Sequence, residues 1–209
     1  MIKFIYVYDA LCGWCYGFSP VIKKVFEVYK DQADFEVISG GMVIGEREGF
    51  PDEQTSKYIL GAIPRVEEMT GVKFSDGYKQ KLADRTMYQS SLKPSVALAV
   101  YKTYHHKEAV LFAAAIQAAS FKEGKDLQQD QTYLDLISTT DIDANIFQKQ
   151  LHNDEFAYAA QQEFKHAQDM GITGFPALIL QKDDQYYLIS RGYQSFDSLQ
   201  PTIKKILTA

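Results

Sequence analysis

The chain opens on Ile2-Lys3-Phe4-Ile5-Tyr6-Val7-Tyr8, apolar at nearly every position, which predicts a strand buried on both faces. A few residues later Trp14, Phe18, Val21, Ile22, Val25, Phe26 and Tyr29 recur at helical spacing and predict a helix of about four turns, kinked at Pro20. Asp34 to Ile38 then alternates as a strand and stops at Gly40-Gly41. A β-α-β opening with a right-handed crossover implies a parallel strand pair.

Between about Pro51 and Gly171 the strand signals disappear. Pro51 and Pro64 read as first-turn prolines, Pro94 as a further helix start, and Gly71, Gly124 and Gly171 as helix stops. Dense Ala and Leu predict helices over 96–104 and 108–121, and Asp130, Asp143 and Asn153 are expected to cap later ones. Sheet returns with Ala177–Gln181 and Tyr186–Ser190, a hairpin around Lys182-Asp183-Asp184-Gln185. A last helix is expected from a capping Ser198 to Leu207, with Pro201 in its first turn. The order β-α-β, helices, β-β-α predicts an α/β fold with a mixed four-stranded sheet and a large all-helical insertion. Residues 1–48 and 172–209 form the sheet-bearing domain and 49–171 the insertion.

At 209 residues with 46% hydrophobic content, the chain can bury a sizeable core. A net charge of −5 argues against nucleic acid or an anionic membrane as partner, and no apolar run approaches a bilayer span. No signal-peptide pattern follows Met1, so a cytoplasmic location is expected.

Chemistry is concentrated in Cys12-Gly13-Trp14-Cys15, which holds both cysteines of the chain between a strand and a helix start. A structural zinc needs four ligands, and no second pair exists. None of the four histidines, His105, His106, His152 and His166, stands at the spacing of a helical metal site, so no metal and no bound cofactor is expected. At the helix N-terminus, free N–H groups and the dipole favour a thiolate on Cys12, while Cys15 lies one turn in, further from solvent. The expected roles are Cys12 as nucleophile and Cys15 as resolving thiol, with Gly13 leaving backbone exposed and Trp14 supplying an apolar plate or plain packing. Asp9 is either a proton acceptor near Cys15 or a strand-end turn residue. Tyr8, Tyr16, Met42, Phe175 and Tyr193 are candidates for an apolar surface around the dithiol, and Ser91–Ser95 for a helix start facing it. Pro176 directly precedes a strand, where its missing donor is tolerated, and the sequence alone favours a trans bond there.

The Cys-Gly-Trp-Cys after a strand, Pro20 in the next helix, Thr173-Gly174-Phe175-Pro176-Ala177 before the third strand and the helical block together resemble the thioredoxin superfamily, in its DsbA-like branch. The likeness is greatest to the FrnE-like, protein-disulfide-isomerase-like proteins. The resemblance implies a cis Pro176 packed against the dithiol, Phe175 offering its backbone to a substrate strand, and metal excluded from the cysteines. It implies thiol–disulfide oxidoreductase or isomerase activity on disulfide- or thiol-containing proteins, with glutathione as a candidate co-substrate. Two departures stand out. The dipeptide lacks the histidine of strong oxidants, and Tyr6 occupies the first-strand position where many relatives bury an acid. The alternatives are a glutathione-dependent isomerase or transferase of the kappa kind, whose members usually carry serine where Cys12 stands, and a redox-switched adaptor using the helical block to hold a partner. Oligomeric state is not encoded in any visible segment.

Overall fold

The computed structural model describes residues 2–208. Strands β1 (Ile2–Tyr8), β2 (Asp34–Ser39), β3 (Ala177–Lys182) and β4 (Gln185–Arg191) form one sheet in the order β2-β1-β3-β4. β1 runs parallel to β2 and antiparallel to β3, and β3 antiparallel to β4, so the sheet is mixed. Alternation explains the uniformly apolar β1. Phe4, Tyr6 and Tyr8 enter the main core, whereas Ile5 and Val7 join Ile38, Ile172, Ala177 and Ile179 on the opposite face. The β3–β4 hairpin closes with Asp183 at φ 55°, a left-handed position that aspartate tolerates.

Helix α1 (Gly13–Tyr29) continues through Pro20 and lays Phe18, Ile22, Val25 and Phe26 on the sheet. The helical stretch comprises α2 (Glu53–Thr70), α3 (Asp76–Ala83), α4 (Leu92–His105), α5 (Ala109–Phe121), α6 (Asp130–Ile137), α7 (Ala144–Leu151) and α8 (Asp154–Asp169), followed after the hairpin by α9 (Phe196–Thr208). Its core is not separate from that of the sheet. Val96, Leu98, Val110, Ile116, Phe147 and Phe164 belong to the same buried cluster as Phe4, Phe18 and Leu178. Lys102 of α4 pairs with Glu163 of α8 and donates to the Val37 carbonyl, while Glu163 accepts the Ser39 N–H, tying two helices to β2. A second cluster joins α1 to α2, α3 and α5 through Tyr16, Ile63, Val66, Phe74, Tyr78 and Phe121. Within it Tyr16–Phe74 and Tyr78–Phe121 meet edge-on, at 5.2 and 5.0 Å between centroids, a geometry their quadrupoles prefer.

Several local expectations need correction. Pro64 lies inside α2, not in a first turn, and forgoes one intrahelical hydrogen bond there. Asp143 and Asn153 do cap α7 and α8, but Asp130 is the first residue of α6, and its carboxylate instead engages Lys93, His152 and Gln148. α9 begins at Phe196, capped by the Ser195 hydroxyl, which accepts the Ser198 N–H at 3.2 Å, so Pro201 falls in the second turn.

Candidate active site

The turn from β1 into α1 places the two cysteines. Cys12 is the N-cap of α1, in an extended conformation at φ −83° and ψ 111°. Its sulfur accepts the Cys15 N–H at 3.3 Å and its thiol donates to the Phe175 carbonyl at 3.6 Å. One of the helix's free donors is therefore aimed at the sulfur, as a thiolate requires. Cys12 is 6% exposed and Cys15 0%, and both are free thiols. Burial pushes the Cys15 thiol well up, the Cys12 sulfur adds to the rise, and the backbone of Asp9 opposes it.

Phe175–Pro176 is a cis peptide bond at the entry to β3, and the Pro176 carbonyl accepts the Gly192 N–H at 2.7 Å. The Phe175 ring rests on Gly40, where an added Cβ would stand 2.2 Å from it. Gly40→Ala is therefore expected to displace Phe175 and with it the carbonyl that meets Cys12. The expected result is about a tenfold loss of kcat/KM on a model disulfide. Melting temperature should fall by only a few degrees, since overpacking costs about 1–3 kcal/mol. Steady-state kinetics and a thermal melt check both.

Asp9, 1% exposed, organises the loops around the dithiol. One carboxylate oxygen accepts the Leu11 N–H at 2.9 Å and the Ser91 hydroxyl at 3.0 Å, and the other accepts the Met42 N–H at 2.7 Å. Ser91 also accepts the Val43 N–H, so the start of α4 reaches the dithiol through Asp9. Behind the cysteines, the Ser19 hydroxyl bonds the Cys15 carbonyl and Gln117, whose amide donates to the Asp9 carbonyl. No sequence signal marks Gln117 or Ser19, because their contact spans 98 residues.

Cys12, Gly13 and Trp14 border a cavity of about 690 Å³ with Met42, the loop to Asp52, and α2. Its floor is the aromatic cluster of Phe74, Tyr78 and Phe121, and at its rim stand Phe50, 64% exposed, and Tyr58, 77% exposed. Of the residues expected to form an apolar surface, Met42 lines this cavity and Phe175 meets Cys12. Tyr8 and Tyr16 do not form surface. Tyr8 is buried under the sheet, and Tyr16 turns into the second core with its hydroxyl on the Lys73 carbonyl. Tyr193 packs edge-on against Phe18.

A dithiol at a strand–helix junction, on a sheet of order β2-β1-β3-β4 with helices packed against it, defines the thioredoxin class of folds, here in its DsbA-like form. The family model described as Thioredoxin matches residues 4–200, and the chain belongs to that family. Among solved structures it is similar to a candidate protein disulfide isomerase from Nitrosomonas europaea, with a TM-score of 0.87 and 23% identity over 99% of this chain and 98% of that one. It is also similar to the cytosolic disulfide reductase DsbM from Pseudomonas aeruginosa, which has been solved with GSH as well, with a TM-score of 0.81 and 21% identity over 99% and 100%. Among curated proteins, the ClpXP adapter protein SpxH of Bacillus subtilis (strain 168) is 23% identical over 208 residues, 97% of this chain and 67% of that one.

Proposed function

We propose that the protein is a cytoplasmic thiol–disulfide oxidoreductase acting on protein or low-molecular-weight disulfides, and that it runs as a reductase. Cys12 is the nucleophile, Cys15 resolves the mixed disulfide, and Phe175 with Pro176 shapes the substrate site beside Trp14. The observation that carries this reading is the asymmetry of the pair. One sulfur sits on a helix-terminal N–H at the edge of a cavity, and the other is sealed beneath it. Neither Gly13 nor Trp14 adds a cation that would stabilise the reduced pair as in a strong oxidant. The likeness to the cytosolic reductase DsbM supports both the direction and the compartment.

Equilibration in glutathione redox buffers, with thiols trapped by alkylation, tests the reading. The expected potential lies near or below the cytosolic glutathione poise, with turnover of a model disulfide. A potential far above the poise would make the protein an oxidant, and no turnover would remove the enzymatic reading. A redox-switched adaptor is the second reading, favoured by the likeness to SpxH along nearly the whole chain. It predicts partner binding that survives Cys12→Ala.

A further inference from the structure

Cys15 faces a difficulty that Cys12 does not. To resolve a mixed disulfide its thiol must lose a proton in a fully buried place, where an uncompensated anion is costly. The Asp9 carboxylate already accepts three hydrogen bonds, from Leu11, Met42 and Ser91, and its charge opposes a second anion nearby. The titratable groups around the sulfur are Cys12 from α1, Tyr6 and Tyr8 from β1, and Asp9 at its end. Beyond Tyr8 lie Glu163 from α8, paired with Lys102 from α4, and Tyr133 from α6. No cation touches Cys15 directly in this set.

Tyr6 is placed to help. β1 turns Tyr6 and Tyr8 onto the face covered by α1, with 5.5 Å between their rings, and the Tyr6 ring lies 5.8 Å from Phe18, one turn beyond Cys15 on the same helix. The Tyr6 hydroxyl is buried and makes no hydrogen bond of ordinary geometry in the dithiol form, yet it lies within interaction range of the Cys15 sulfur. Cys15 is the titratable group that acts on it most strongly, whereas Tyr8 responds more to Asp9 and Glu163. The buried polar side chains Asp9, Ser19, Ser91 and Gln117 beside the dithiol are committed elsewhere, and the Tyr8 hydroxyl, also without a partner, interacts with Asp9 and Glu163 before Cys15.

We infer that Tyr6 is a positioning residue for the resolving step, its hydroxyl turning to the Cys15 sulfur and donating a hydrogen bond to the thiolate as it forms. The inference rests on the dithiol reading above. In the step itself, the Cys15 proton leaves to solvent and the thiolate attacks the Cys12 sulfur of the mixed disulfide. The Cys12–Cys15 bond forms as the bond from Cys12 to the substrate sulfur breaks. The electron pair departs on that sulfur, which takes up a proton, so the substrate disulfide is reduced and the protein dithiol oxidised. Tyr6 keeps its proton throughout. A tyrosine in place of an acid thus supplies a donor without adding a second negative charge.

Loss of such a bond raises the pH needed for thiolate by about one unit. The thiolate fraction at a given pH falls about tenfold, while the more basic sulfur is about threefold more nucleophilic, leaving resolution about threefold slower. Stopped-flow reaction of reduced protein with dithiobis(nitrobenzoate) separates two releases of the coloured thiolate. The concentration-dependent first phase is Cys12 attack, and the concentration-independent second is resolution by Cys15. For Tyr6→Phe the second phase is expected to slow about threefold, with its pH midpoint about one unit higher, and the first to stay within about twofold. Tyr8→Phe is expected to move the midpoint less. If wild type shows no second phase, the dithiol reading itself fails. If wild type resolves and the Tyr6→Phe profile superimposes on it, or Tyr8→Phe shifts more, the inference about Tyr6 is overturned. Should Tyr6→Phe not fold, difluorotyrosine at position 6, a stronger donor of similar shape, is expected to lower the midpoint, and an unmoved midpoint overturns the inference equally.

Discussion

Cys12→Ser is expected to lower kcat/KM for a model disulfide by at least about a thousandfold, whereas Cys15→Ser should hold the protein as a stoichiometric mixed disulfide with substrate. The two sulfurs sit one helical turn apart, yet only Cys12 borders the cavity and receives the helix-terminal N–H. Serine at position 12 keeps the cap hydrogen bond but removes the sulfur nucleophile, so folding should survive the loss of activity. Serine at position 15 leaves attack intact and removes the only internal sulfur that can release the product. Mass spectrometry of the quenched reaction distinguishes the cases, the trapped adduct appearing with Cys15→Ser and absent with Cys12→Ser. Full turnover by Cys15→Ser would instead mark a monothiol mechanism and favour the glutathione-dependent isomerase or transferase alternative.

The dithiol was legible because local sequence determines it. A uniformly apolar strand, two cysteines and a helical period follow within one short segment, and the β3–β4 hairpin is equally local. What surrounds the dithiol was not. Asp9 reads as a strand-end turn residue until the chain brings Met42 and Ser91 onto its carboxylate, contacts separated by 33 and 82 residues. The cavity wall comes from α2, whose Tyr58 and Ile59 look like any residues of an amphipathic helix. Tyr16 shows the converse error. It is a candidate for the apolar surface around the dithiol, but helical rotation carries it away from the dithiol and into the aromatic cluster of α2 and α3. For the start of α9, Ser195 and Ser198 stand three apart and local sequence permits either as the cap. Only the tertiary position of Phe196 in the core selects Ser195.

Asp9→Ala should be the most destabilising single change near the site, by roughly 3–5 kcal/mol, because it leaves the Leu11 and Met42 N–H groups and the Ser91 hydroxyl without their acceptor in a buried place. For a chain of this length that corresponds to a fall in Tm of about 10 °C. Asp9→Asn should cost less, about 1–2 kcal/mol, since its carbonyl can replace one oxygen while its NH₂ group faces a donor in place of the other. Comparing the two proteins also isolates the charge. Burial raises the Asp9 carboxyl above its ordinary value, with the hydrogen bonds from Met42, Leu11 and Ser91 offsetting only part of the rise. A raised folded value means that the folded state binds the proton more tightly than the unfolded chain does. Its contribution to stability is therefore fully present below the unfolded value and is lost as pH rises through the folded one. Urea unfolding from about pH 7 down to about pH 4 should thus show wild type gaining on Asp9→Asn as the medium becomes more acidic. A difference that is flat across this range, or that shrinks on acidification, would mean that the three donors hold the carboxylate charged at less cost than its burial implies.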